Sequence, residues 1–134
     1  GEAAADCMRA VVADDGGPGC GSGGPLAVGS RPAGDSPYGA HDMAGNVWEW
    51  IADHYDEDSY AADQDASGGG PVVDPAGPEN GTRYVVRGGR YGGATAKASD
   101  ARAANRDFAE PEFAFGGLGV RCAGPEAGIG GPGG

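Results

Sequence analysis

The sequence predicts a loop-rich α+β domain of short strands, and three observations carry that expectation. Its 29 glycines and 10 prolines among 134 residues cluster at 16–24, 68–70, 88–93, 116–119 and 124–134. Apolar segments lie between those clusters, which is the pattern of ordered loops around a core rather than of low complexity. Both tryptophans, Trp48 and Trp50, stand in one motif; a Trp hides roughly 150–250 Å² once buried, so the pair marks the core. Finally, Thr82–Arg87, T-R-Y-V-V-R, has the β-branched and aromatic content of a strand. At this length a single core is expected.

Taken in order, Gly1 to Gly24 is polar and glycine-rich, and Cys7 and Cys20 bracket a loop through Gly16, Gly17, Pro18 and Gly19 that can bend back on itself. A Cys7–Cys20 disulfide there contributes roughly 3 kcal/mol in the chain-entropy account. The third cysteine, Cys122, is then left without an intrachain partner. No C-x-x-C and no His at ligand spacing accompanies the three, which argues against zinc. Leu26–Val28 reads as a short strand closed by a turn. Trp48–Tyr55 is open between a strand and a helical turn, with the alternation of Trp48, Trp50 and Ala52 favouring the strand. Asp53–Asp65 holds Asp53, Asp56, Glu57, Asp58, Asp63 and Asp65 with no Lys or Arg, the composition of a solvated acidic loop. Asp63–Asp74 has some EF-hand-like spacing, but Pro71 and the lack of flanking amphipathic helices count against it. Asp74–Gly81 is turn chemistry and Leu118–Cys122 a last strand. Gly124–Gly134 is a Gly/Pro-rich tail, so the domain is assigned to 1–123 and the tail to 124–134.

A formal net charge of −11 and a pI near 4.3 argue against nucleic acid, whose recognition rests on Lys and Arg neutralising phosphates. A cation or a cationic surface suits the chain better. No apolar run approaches the roughly 20 residues of a membrane span, and the chain does not open with a signal peptide. Nucleophilic chemistry has little support, because His41 and His54 are the two histidines and neither stands at a motif spacing from Ser or Cys. G-C-G-S-G-G at Gly19–Gly24 lacks the Lys of a phosphate loop.

Asp35–Trp50, D-S-P-Y-G-A-H-D-M-A-G-N-V-W-E-W, organises the rest. Tyr38, Met43, Val47, Trp48 and Trp50 are its expected core anchors, and Asp42, Asn46 and Glu49 are oxygen-bearing side chains that must be satisfied beside that core. Turn caps or a bound cation would both do this.

D-M-A-G-N-V-W-E-W at Asp42–Trp50 is followed by R-G-G-R-Y at Arg87–Tyr91, R-A-A-N-R at Arg102–Arg106 and L-G-V-R-C-A at Leu118–Ala123. Four blocks in this order resemble the carboxy-terminal half of the formylglycine-generating sulfatase-modifying family, from about Asp6 to Ala123. The resemblance implies a C-type-lectin-like fold with short antiparallel strands and little regular structure. It also implies an amino-terminal half-domain supplied elsewhere. Relatives bind structural Ca²⁺ at positions that match Asp42 and Glu49 through side-chain oxygens and Gly45 and Val47 through backbone carbonyls, a donor set that suits this ion. Cys7 and Cys20 fall where relatives carry ligands of another calcium, so a covalent staple stands in for a metal clip. Cys122 resembles a cysteine that pairs with one in the other half.

The two copper-binding cysteines of the family correspond to Gly93 and Ala98, and a nearby one to Ala103. Glycine and alanine offer no soft ligand and no redox thiol, so the resemblance points to a non-catalytic binding or assembly module. The alternative is part of a sulfatase-modifying or nonheme-metal oxidoreductase whose site another segment or chain completes. Gly92–Gly117 also resembles the variable region of lectin-fold proteins diversified by retroelements. That places Asp107, Phe108, Glu110, Phe113 and Phe115 on a ligand-facing surface toward a protein or other macromolecular ligand. The three phenylalanines are either a contact patch or a plug for a core left open by the absent half. A disulfide implies an extracellular or periplasmic location.

Overall fold

The Tyr84–Arg87 segment forms a strand, here β2, whose Val85 and Val86 are both buried. Successive strand residues point to opposite faces, so the sheet is covered on both sides at this point. The computed structural model describes residues 5–73, 75, 77–93 and 96–122, with Ala98 described in its backbone alone. Asp74 and the tail 124–134 lie outside them.

Trp48–His54 is a strand, β1, which settles the choice between strand and helical turn. It pairs antiparallel with β2 in the register Glu49↔Arg87 and Trp50↔Val86, slips by an irregularity, and resumes at His54↔Tyr84. Two shorter strands complete a sheet of order β3-β2-β1-β4: Asp107–Ala109 (β3), antiparallel to β2, and Leu118–Gly119 (β4), parallel to β1. The sheet is therefore mixed, not antiparallel throughout. The expected last strand over Leu118–Cys122 is two residues long, because Trp48↔Leu118 and Glu49↔Gly119 are its only partners. Trp48, Val86 and Ala109 form the buried cluster, with Trp50 and Leu118 against it.

The glycine-rich amino-terminal segment holds more core than its composition suggests. Ala10, Val11 and Val12 are each 3% exposed or less. Cys7 and Cys20 are bridged, with their Cα atoms 5.6 Å apart, and the Cys20 N–H donates to the Val12 carbonyl at 2.9 Å. The staple therefore closes a loop onto this core.

Several expected elements differ. Leu26–Val28 makes no strand; its backbone is captured by the Asn46 side chain instead. The acidic segment is not a loop throughout, since Ser59–Ala66 is an α-helix, α1, with no buried residue. Ala61, Ala62, Gln64 and Ala66 are good helix formers, and Gly68 with φ of 64° ends it. Asp63 and Asp65 therefore sit on that helix, away from an EF-hand-like loop. Tyr38 is 96% exposed and Met43 half-exposed, so two of the five expected core anchors lie at the surface; Tyr38 sits in a turn closed by the Gly39 N–H on the Ser36 carbonyl and by the Ala40 N–H on the Ser36 hydroxyl.

Candidate functional site

The motif loop 42–47 is the hub of the backbone network. Asn46 N–H donates to the Val11 carbonyl at 2.7 Å, Gly45 N–H to Gly88 at 2.6 Å, Tyr91 N–H to the Asn46 carbonyl at 2.7 Å and Trp48 N–H to Gly117 at 2.8 Å. Three residues of the loop have positive φ: Asp42 at 52°, Gly45 at 77° and Asn46 at 65°. Left-handed residues this close together turn the chain sharply. At Gly45 there is no alternative, as a Cβ would stand 2.5 Å from the Val11 carbonyl oxygen.

The loop opens on one side into a pocket of about 550 Å³ that Val28, Asp42, Asn46, Val47, Glu49 and Arg121 line. Three of the four residues expected to hold Ca²⁺ meet there, while Gly45 lies behind them against Val11. Part of this set makes contacts within the protein. Arg121 Nε and Nη2 donate to the two carboxylate oxygens of Glu49 at 2.8 and 2.7 Å. The same Nη2 donates to the backbone carbonyl of Asp42 at 2.9 Å. One oxygen of the Asp42 carboxylate accepts the N–H of Gly29, which lines the same pocket, at 2.5 Å. Asp42, Val47 and Glu49 thus border one pocket, and their oxygens are of the donor type Ca²⁺ takes. Among the described residues no three His, Cys, Asp or Glu side chains converge on one point.

Charge in the pocket follows from these contacts. The hydrogen bond to Glu49 holds the Arg121 guanidinium above its ordinary pKa against a smaller opposing effect of burial. At the rim His41 Nδ1 lies 2.8 Å from Asp35 Oδ1. That contact, with the Asp35 charge behind it, raises the imidazole pKa from 6.5.

The second surface is the expected ligand face, which the structure divides. Asp107, Phe113 and Phe115 line a pocket of about 560 Å³ together with Trp48, Arg90 and Lys97. Phe113 and Phe115 have centroids 5.4 Å apart, and the Arg90 guanidinium stands 5.3 Å over the Phe115 ring. Phe108 points elsewhere. It packs 4.9 Å from Tyr55 and under Arg83 at 4.1 Å. Glu110 belongs to neither cluster and closes a turn through its carbonyl, which accepts the Phe113 N–H. Arg106 extends the Phe108 side, stacked 4.1 Å over Tyr60 and donating to the Asp56 carbonyl at 3.0 Å, so α1 is tied to the sheet by its surface. Sequence reasoning did not single out Tyr55, Tyr60 or Arg83. Their spacing carries no period, and the sheet register and α1 alone bring them together.

Gly93 has φ of 121°, and a Cβ there would meet the Arg90 guanidinium at 2.7 Å. Ala98 opens the short 3₁₀ helix Ala98–Ala101. Cys122 is exposed and free.

Residues 23–125 match the family described as Sulfatase-modifying factor enzyme 1-like domain. The chain is 37% identical over 86 residues to the formylglycine-generating enzyme of Thermomonospora curvata, covering 64% of this chain and 27% of that protein. It is 39% identical over 93 residues to the formylglycine-generating enzyme of Streptomyces coelicolor, covering 69% and 26%. It thus spans about a quarter of the length of these relatives. Among solved structures, Treponema denticola variable protein 1 superposes with a TM-score of 0.57 at 22% identity, over 84% of this chain and 34% of that one, and this likeness gives the chain its C-type-lectin fold.

Proposed function

We propose, from the premise that the chain belongs to the Sulfatase-modifying factor enzyme 1-like family, that it is a binding or assembly module and not a catalyst. The observation that carries this is the exposure of the phenylalanines on the 107–115 segment. Phe113 is 56% exposed, Phe108 42% and Phe115 36%, which supports a contact surface over a core plug. Exposed aromatics braced by arginines have the composition of interface hot spots. Gly93 and Ala98 in place of copper-binding thiols support the same reading. The ligand is a protein or another macromolecule, or a chain that supplies the other half-domain; a net charge of −11 disfavours nucleic acid.

An intrachain disulfide agrees with an extracellular or periplasmic location. No helix among the described residues is long and apolar enough to cross a membrane.

A second reading has one observation in its favour. Because the chain spans about a quarter of its relatives, a site of sulfatase-modifying or nonheme-metal type could be completed by further polypeptide. Incubating the purified chain with copper and a sulfatase-motif peptide, and looking for the aldehyde by mass, separates the two. No aldehyde is expected, and turnover would end the binding-module reading.

A further inference from the structure

Arg83 carries a guanidinium that meets aromatic rings and, among the described residues, no carboxylate. We propose, resting on the binding-module reading, that Arg83 anchors a docking surface for a short acidic protein segment, built with Tyr55, Tyr60, Arg106 and Phe108.

Register brings the surface together. Phe108 on β3 pairs with Val85 on β2, and Arg83, two residues before Val85, shares its face because strand side chains alternate. The N–H of Tyr55, just past β1, donates to the Arg83 carbonyl at 2.8 Å. The Arg83 guanidinium stands 4.1 Å over the Phe108 ring and 5.6 Å from the centre of Tyr55. Arg106 stands 5.5 Å from the centre of Tyr55 and 4.1 Å over Tyr60. Two guanidiniums and three rings thus form one series of contacts from β3 to α1. It lies open to solvent, with Tyr60 half-exposed and both Arg83 and Phe108 exposed.

The acidic occupant follows from charge. Arg106 donates to the Asp56 and Glu57 carbonyls, and Arg87, which lines a cavity with Arg106 and Tyr60, donates to the Tyr60 hydroxyl and the Ala103 carbonyl. The Arg83 guanidinium makes no hydrogen bond among the described residues. None of the ion pairs among them includes any of these three arginines, although acids outnumber bases 20 to 9 in the chain. Their charge is left to be met by an anion from outside. A guanidinium braced on a ring gives up little freedom on binding and presents its N–H edge to a carboxylate in two prongs. Exposed rings beside it add apolar contact, and Tyr with Arg is the composition of protein hot spots. The net charge of −11 repels anions at long range, but at about 0.15 M salt charges beyond about 8 Å are screened. A segment of a few carboxylates is therefore accepted, whereas a nucleic acid needs a longer track of cations along its phosphates.

The test is the binding of fluorescein-labelled hexaglutamate to the full chain at about 0.15 M NaCl, read by anisotropy, with labelled hexathymidylate as the phosphate probe. The wild type is expected to bind hexaglutamate, and hexathymidylate more weakly. Arg83→Gln should weaken hexaglutamate binding about tenfold, as the loss of a two-pronged contact does, while Phe113→Ala, on the other pocket, binds like the wild type. Undetectable hexaglutamate binding overturns the proposal, and so does an Arg83→Gln chain that binds as tightly as the wild type or a Phe113→Ala chain that loses as much. Tighter binding of hexathymidylate overturns it too, because the surface is then a phosphate site. If Arg83→Gln does not fold, the Arg83 Nε–H resonance of the wild type decides: a shift on adding hexaglutamate upholds the anchor, and an unchanged resonance overturns it. None of these failures touches the binding-module reading, which falls to aldehyde formation in the copper incubation.

Discussion

Asn46 and Leu26 pair as two strands would, although one partner is a side chain. The Leu26 N–H donates to Asn46 Oδ1 at 2.9 Å, and Asn46 Nδ2 donates to the Leu26 carbonyl at 3.1 Å. Asn46 is buried with φ of 65°, a region that Asn tolerates better than most residues. The Asn46→Ala substitution removes both bonds, leaves the Leu26 groups unpaired and keeps the backbone strained. A loss of about 2–4 kcal/mol is expected in urea unfolding. Asn46→Asp keeps the acceptor and loses the donor, and should fall between.

Gly45 is fixed by its neighbours more tightly still. The Gly45→Ala substitution puts a methyl 2.5 Å from the Val11 carbonyl oxygen and 2.9 Å from its nitrogen at φ of +77°, and both atoms are backbone. We expect a loss above about 2 kcal/mol by chemical denaturation. A neutral result would show that the Val11–Gly45 bridge is absent in solution.

The Cys7–Cys20 bridge closes a loop with a sequence separation of 13. Reduction, or a Cys7→Ser/Cys20→Ser pair, should cost about 3 kcal/mol in stability. Mass mapping without reductant should find one alkylated thiol, on Cys122, and the Cys7 and Cys20 peptides joined.

Phe113 separates the contact-patch reading from the core-plug reading. At 56% exposure, Phe113→Ala should change stability by less than about 1 kcal/mol, while Trp48→Ala at the buried cluster should lose about 3–5 kcal/mol. Equal losses would place Phe113 in the core and remove it from the ligand face.

His41 predicts a pH dependence of definite sign. Asp35 raises the folded-state pKa of the imidazole above 6.5, so the folded chain binds the proton more tightly than the unfolded one. The contribution is present in full below pH 6.5 and is lost as the pH rises through the folded-state value. His41 is well exposed, and solvent screening keeps the effect small. Following the His41 ring protons by NMR should give a midpoint above 6.5 that Asp35→Asn returns toward it.

What the sequence by itself determined is local and compositional. The Val-rich β2, the Trp48 core, the Cys7–Cys20 staple and the four motif blocks of the family were legible, because side-chain size, β-branching and short-range spacing fix them. What the tertiary structure decided is everything set by long-range pairing. Helix α1 was hidden because its acidic composition reads as a solvated loop, and it is tied down by Arg106, some 40 residues away in sequence. Val11 was hidden among glycines because its burial comes from the Gly45 turn. The five ligand-face residues form one list in sequence, yet β3 sends Asp107 and Phe108 to opposite faces, since successive strand side chains alternate. The loop at Asp42–Glu49 shows the limit most clearly: its donor types can be read from the chain, but that Arg121 reaches Glu49 depends on the parallel register of β4 on β1.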